Sequence, residues 1–109
     1  MTILKIGSRT YSIIFSDDDE ILNSSENQNA FGYTDYTNSK IVIKNSISNV
    51  FKKENLIHEI LHTLLDNSGI EIILENSNKI TTELIISVLA PRFHQFLKDN
   101  PDVIKTFSD

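Results

Sequence analysis

The stretch from Ser48 to Gly69 leaves this chain little local freedom. Leu56, Ile57, Ile60, Leu61, Leu64 and Leu65 recur with the 3.6-residue period of an α-helix, Ser48 or Asn49 offers an N-cap, and Asn67-Ser68-Gly69 offers a stop at which glycine suits the left-handed cap position. At ~100° per residue those six apolar side chains form one broad arc, and Asn55, His58, Glu59, His62 and Asp66 are expected on the opposite side.

Within that helix stands His58-Glu59-Ile60-Leu61-His62, an H-E-x-x-H arrangement. Four residues make about one helical turn, so both imidazoles project from one face and can share a Zn²⁺ ion, with Glu59 beside them. The bland alternative is a solvated, histidine-bearing helix face. A lone histidine on an apolar face is usually a hydrogen-bonded core residue, but here two lie one turn apart on the polar side of the arc. Cysteine is absent, so any transition metal has to be held by His, Asp or Glu.

Around this helix, 109 residues with 39% hydrophobic and 23% charged content suit one domain spanning 1–109. A formal charge of −5 argues against nucleic acid as a partner, because phosphate binding rests on clustered Lys and Arg. The opening Met1-Thr2-Ile3-Leu4-Lys5-Ile6 is too short an apolar run for a signal peptide, and no stretch approaches the ~20 apolar residues of a membrane span. A soluble, intracellular protein without a membrane partner is the expectation.

The N-terminal half reads as extended. Ile3–Ile6, a Gly7-Ser8 turn and Tyr11–Phe15 predict a hairpin, and Phe31–Thr34 with Lys40–Lys44 predict a second extended pair, joined by the turn formers Asp35 to Ser39. The lysines flanking Ile41-Val42-Ile43 suit a sheet edge. Asp17-Asp18-Asp19-Glu20 and the polar run Asn23–Asn29 have little to bury and predict a solvated, mobile loop; a calcium site is disfavoured because the glycine and terminal Glu of an EF-hand are missing. A second helix is expected from about Ile80 to Lys98, ending before Asn100-Pro101, with a kink or break at Pro91. Ile70–Leu74 is compatible with either a helical turn or a short strand. The fold class is α+β: a small N-terminal sheet of hairpins packed on two helices.

A zinc site needs a third protein ligand. The extended H-E-x-x-H-x-x-G-x-x-H pattern is ruled out, because Leu65 replaces its glycine and Ser68 its third histidine. Asp66 projects parallel to His62 and suits a hydrogen bond to a ligating imidazole better than the metal itself. Glu71 and Glu75 fall in or next to the connection and would need a sharp return. Glu83, 21 positions after His62 and near the start of the second helix, is the better candidate, against the alternative of an ordinary N-terminal carboxylate favoured by the helix dipole. His94 lies 11 residues beyond Glu83, ~16 Å along the helix, and cannot share the ion with it.

Taken in order, Gly32-Tyr33-Thr34-Asp35-Tyr36 before Ile41-Val42-Ile43, then Leu56-Ile57-His58-Glu59-Ile60-Leu61-His62, Glu83 ahead of Leu89-Ala90-Pro91, and Leu97-Lys98-Asp99-Asn100-Pro101, the chain resembles small phage- and prophage-encoded zincin-like proteins, minimal gluzincin-type metallopeptidases. The resemblance implies a zincin-like fold, a Zn²⁺ site of His58, His62 and Glu83, an edge strand able to hold an extended peptide or protein substrate, and a place in the cytoplasm of a bacterial host. Metal-assisted hydrolysis of peptide bonds would follow, with Glu59 as general base and the Lys40–Lys44 strand aligning the peptide. Tyr33, Tyr36, Arg92 and His94 are available as oxyanion donors, with no basis for choosing among them. The alternative is a zincin-like, metal-binding interaction or regulatory protein without general peptidase activity.

Overall fold

The computed structural model describes residues 3–24, 30–70 and 82–108. Strands β1 (Ile3–Ile6) and β2 (Arg9–Ser16) form the expected antiparallel hairpin, and Gly7 sits at the turn with φ 63°, a left-handed conformation that favours glycine. Strand β3 (Gly32–Asp35) pairs antiparallel with β4 (Lys40–Lys44), and β4 runs parallel to β2 with Ile13 beside Ile41 and Phe15 beside Ile43. The four strands therefore lie in the order β1-β2-β4-β3. Helices α1 (Asn49–Asp66), α2 (Thr82–Asp99) and α3 (Val103–Ser108) complete this α+β arrangement. Among the described residues no helix is long and apolar enough to cross a membrane.

Alternation along the strands places the core on one face of the sheet. Leu4, Ile6, Tyr11, Ile13, Ile41 and Ile43 meet Leu56, Ile60 and Leu64 of α1, with Phe96 and Val103 closing the layer. The sheet order corrects the expectation that Lys40–Lys44 is an edge, since β4 lies inside the sheet between β2 and β3. Ile41, Val42 and Ile43 are all buried, the continuous apolar run of a strand covered on both faces. Its flanking lysines sit at the two strand ends, where a long stem can lie along the sheet and the ammonium reach water.

The two outer strands differ. The Asn100 side chain accepts a hydrogen bond from the Lys5 N–H at 2.9 Å and donates to the Lys5 carbonyl at 2.8 Å, imitating a neighbouring strand in the middle of β1's outer edge. Its amide also donates to the Phe96 carbonyl at 2.8 Å, tying the end of α2 to the sheet. On the opposite edge, the Lys44 N–H donates to the Phe31 carbonyl, so by antiparallel alternation Tyr33 and Asp35 face β4 through their backbones. The backbone groups of Gly32 and Thr34 point outward. Among the described residues the open sheet edge is thus β3.

The acidic segment after β2 is solvated as expected, with Asp17, Asp18 and Glu20 exposed, and its turns are organised by its own side chains. Asp19 Oδ1 accepts from the N–H groups of Ile21 and Leu22, its Oδ2 accepts from the Tyr33 hydroxyl at 2.8 Å, and Asp17 Oδ1 accepts from the Ser46 N–H. Short carboxylates build turns by bonding nearby N–H groups, which is why a run poor in apolar residues can still be ordered. Residues 25–29 of the polar run lie outside the described residues.

Burial, followed by the bond to Asp19 and that carboxylate's charge, pushes the Tyr33 phenol up to about 12. Burial alone would raise Asp19, but the Tyr33 hydroxyl and the two backbone N–H groups outweigh it and hold the carboxyl below its ordinary value. The Asp19 contribution to stability is therefore present above its unfolded pKa and is lost as pH falls through the lower folded one. The Tyr33 contribution is present below pH ~10 and is lost as pH rises through the folded value. Tyr33→Phe is expected to remove the highest-pH component of the phenolate absorbance titration and to move the acid unfolding midpoint upward; an unchanged alkaline titration would refute the pairing.

Helix α2 runs unbroken through Pro91, so of the expected kink or break the break is not found, and Arg92 Nη1 donates to the Val88 carbonyl at 2.9 Å within the same turn. Helix α3 was not anticipated from the sequence. The expected start of α2 near Ile80, the choice for Ile70–Leu74 beyond the buried Ile70, and Glu71 and Glu75 fall in residues 71–81, outside the described set.

Candidate metal centre

Helix α1 starts as its sequence predicts, with the Ser48 hydroxyl accepting from the Phe51 N–H and, at its far end, Gly69 at φ 73°. Its inward face is turned relative to the expected arc. Leu56, Glu59, Ile60, Thr63 and Leu64 are buried, whereas Ile57 is 42% exposed. Glu59 thus leaves the polar side to which the helical wheel assigned it. The cause is β3, which lies along this flank of α1 and covers positions that the apolar pattern alone assigns to solvent.

Gly32 makes that approach close. A Cβ at this position would stand 2.7 Å from Ile43 Cδ1 and 3.1 Å from the Val42 carbonyl oxygen, with Glu59 Cγ next at 3.8 Å. Two residues on, and so on the same side of the strand, the Thr34 hydroxyl contacts Glu59 Oε1 at 3.5 Å, at the limit of a hydrogen bond. Glu59 is 8% exposed, and among the described residues no basic side chain pairs with it. Among the described contacts, the hydroxyl of Thr34 is the polar side-chain group that meets this largely buried carboxylate.

His58 and His62 are exposed on the crest of the helix, away from the sheet. Their Nε2 atoms stand 3.1 Å apart, and the rings are 4.6 Å between centroids at 71°. Two corners of a tetrahedron with Zn–N bonds near 2.05 Å lie roughly 3.3 Å apart, so the two nitrogens are spaced to bind one ion. In a metal-free chain one imidazole donates and the other accepts across the same gap. The crest is bordered by Glu59 and β3 on one side and by Ile57 and Leu61 on the other.

Glu83 is exposed in the first turn of α2. Among the described residues no three His, Cys, Asp or Glu side chains come together as a metal-binding group, so Glu83 is not assembled with the histidine pair. Among the described residues the donor set fits two corners of a zinc site, and no third donor joins them. Burial pushes the Tyr11 phenol up and the charge of the exposed Asp66 adds to it; no hydrogen bond joins Asp66 to His62 among the described contacts. Among the candidate oxyanion donors, Tyr33 is engaged with Asp19, Arg92 with its own helix, and His94 is exposed on α2. Tyr36, partly buried against the core, accepts a hydrogen bond from Arg9 through its carbonyl.

Sequence reasoning missed Gly32 and Thr34, the residues that bring β3 onto Glu59. The available signal was Gly32-Tyr33-Thr34, in which two small residues separated by one position share a face of a strand. No protein-family model, curated protein or solved structure matches this chain.

Proposed function

We propose that this chain is a zinc-dependent peptidase of the gluzincin type, in which His58 and His62 hold the ion and Glu59 moves the proton. The observation carrying the proposal is the 3.1 Å separation of the two Nε2 atoms, with a buried carboxylate supplied by the residue between them in sequence and an open strand edge alongside. Bound there, zinc would supply a Lewis acid and lower the pKa of a bound water toward ~7. Glu59 would accept the proton of a water beside the imidazole pair and return it to the leaving amine. The outward backbone groups of Gly32 and Thr34 would align an extended peptide by strand addition. This role passes from the Lys40–Lys44 strand, which lies inside the sheet, to β3.

Glu83 is the proposed third ligand, and coordination would bring its carboxylate to the imidazole pair. Zinc binding should then fasten α1 to α2. Calorimetric titration with Zn²⁺ is expected to show one ion per chain, abolished in His58→Ala and in His62→Ala and weakened in Glu83→Gln. Saturation at 100 times Kd should stabilise the wild type by about 2.7 kcal/mol in thermal unfolding. Absence of zinc binding by the wild type would defeat the proposal; affinity unchanged in Glu83→Gln would remove Glu83 from the ligand set.

Because His58 and His62 are a pair without a third donor among the described residues, a second reading is a metal-dependent interaction or regulatory protein of phage origin, acting in the host cytoplasm without general peptidase activity. Under that reading zinc binds, and replacing Glu59 leaves every effect of the protein intact.

A further inference from the structure

Phe15, Asn45, Asn49, Lys52, Lys53 and Thr106 line a cavity of about 430 Å³ where the ends of β2 and β4 meet the first turns of α1 and the short helix α3. Leu56 completes its apolar wall. At ~100° per residue, Asn49, Lys53 and Leu56 fall on the sheet side of α1, the face opposite His58 and His62. The cavity is therefore separate from the imidazole pair, and a volume of this order lies within the ~300–1,000 Å³ of small-ligand pockets.

Its lining is specific in chemistry. Phe15 is 44% exposed although it stands in an interior strand, and the Lys52 ammonium lies 5.9 Å from its ring centroid. The polar groups around it are two ammoniums, two carboxamides and a hydroxyl, with no carboxylate among the described lining residues, in a chain whose formal charge is −5. The first turn of α1 carries no acid either. A cation would be repelled by the Lys52 ammonium, and a purely apolar ligand would cover that ammonium without satisfying it. A polynucleotide is disfavoured by the acidic surface at large.

We propose that this cavity binds a small planar aromatic anion, its ring stacked on Phe15 and its phosphate or carboxylate held by Lys52 and the amides of Asn45 and Asn49. Stacking would use the exposed part of the half-covered Phe15 ring, and the Lys52 ammonium 5.9 Å from its centroid would meet the anion beside it. A mononucleotide and an aromatic carboxylate share this chemistry.

Amide shifts in ¹H–¹⁵N spectra of the full chain, titrated separately with adenosine 5′-monophosphate, benzoate, benzamide and inorganic phosphate, test the assignment. At least one of the first two is expected to shift Phe15, Asn49 and Lys52, binding at least about tenfold more tightly than phosphate or benzamide, and the tighter of the two identifies the source of the anion. Lys52→Gln and Phe15→Leu, each checked for an unchanged melting temperature, should weaken that binding about tenfold, while His58→Ala leaves it unaltered. No shift with either aromatic anion overturns the proposal. Phosphate binding as tightly as both, an adventitious ion only, overturns it too, as does benzamide matching benzoate. If either cavity variant fails to fold, binding that weakens with added salt in the wild type supports the ionic contact, and salt-independent binding refutes it.

Discussion

Glu59→Gln is expected to reduce cleavage of a quenched-fluorescence peptide library by zinc-loaded protein about 10²–10⁴-fold, with zinc affinity held within about threefold. The substitution is nearly isosteric, so the backbone of α1 and the Nε2 spacing of 3.1 Å between His58 and His62 should survive it. What it removes is the ability to accept a proton. Because Glu59 is 8% exposed and pressed toward Thr34, bulk water is poorly placed to take over. A rate equal to that of the wild type would show that the buried carboxylate serves packing alone and would hand the case to the interaction protein. A loss of zinc binding would show instead that Glu59 supports the ion directly.

Asn100→Ala should cost about 2–4 kcal/mol and lower the melting temperature by roughly 8–20 °C. The side chain is buried, 7% exposed, and exchanges two hydrogen bonds with Lys5 across a sequence separation of 95 residues while a third reaches Phe96. Alanine leaves the Lys5 N–H and carbonyl facing a space in which water is a poor substitute, and the desolvation cost of such unpaired groups exceeds the net worth of the bonds. It also unties α2 from the strand. Hydrogen exchange supplies the local reading: the Lys5 amide, protected in the wild type, should exchange freely in the variant. A melting temperature unchanged within a degree or two would mean that the asparagine bonds merely replace equivalent water contacts.

Local periodicity carried much of the architecture. Helix α1 was legible because Ser48, the leucine spacing and Gly69 all act within a few residues of one another, and the His58/His62 spacing follows directly from helical pitch. The hairpin at Gly7 was legible for the same reason. Strand order was not, because lysines at both ends of a strand are compatible with an edge and with a central strand alike, and only the pairing with β2 on one side and β3 on the other separates the two. Glu59 was assigned to the polar side because a helical wheel records the partners a helix wants, not the strand that packs against its flank. The Asn100 contact was invisible because nothing near residue 100 announces a partner at residue 5. The proposed Glu83 ligation depends on where α2 begins relative to α1, a tertiary quantity with no local signature.

The unequal edges of the sheet bear on how copies of this chain can meet. With the amide of Asn100 occupying the middle of β1's rim, β3 is, among the described residues, the side on which a further strand can be laid. Chains joining rim to rim through β3 consume that valence on both partners, so growth stops at a two-fold pair and a ribbon cannot propagate. The same encounter would cover Thr34 and the approach to Glu59, so crowding of the chain and occupation of its cleft compete for one surface.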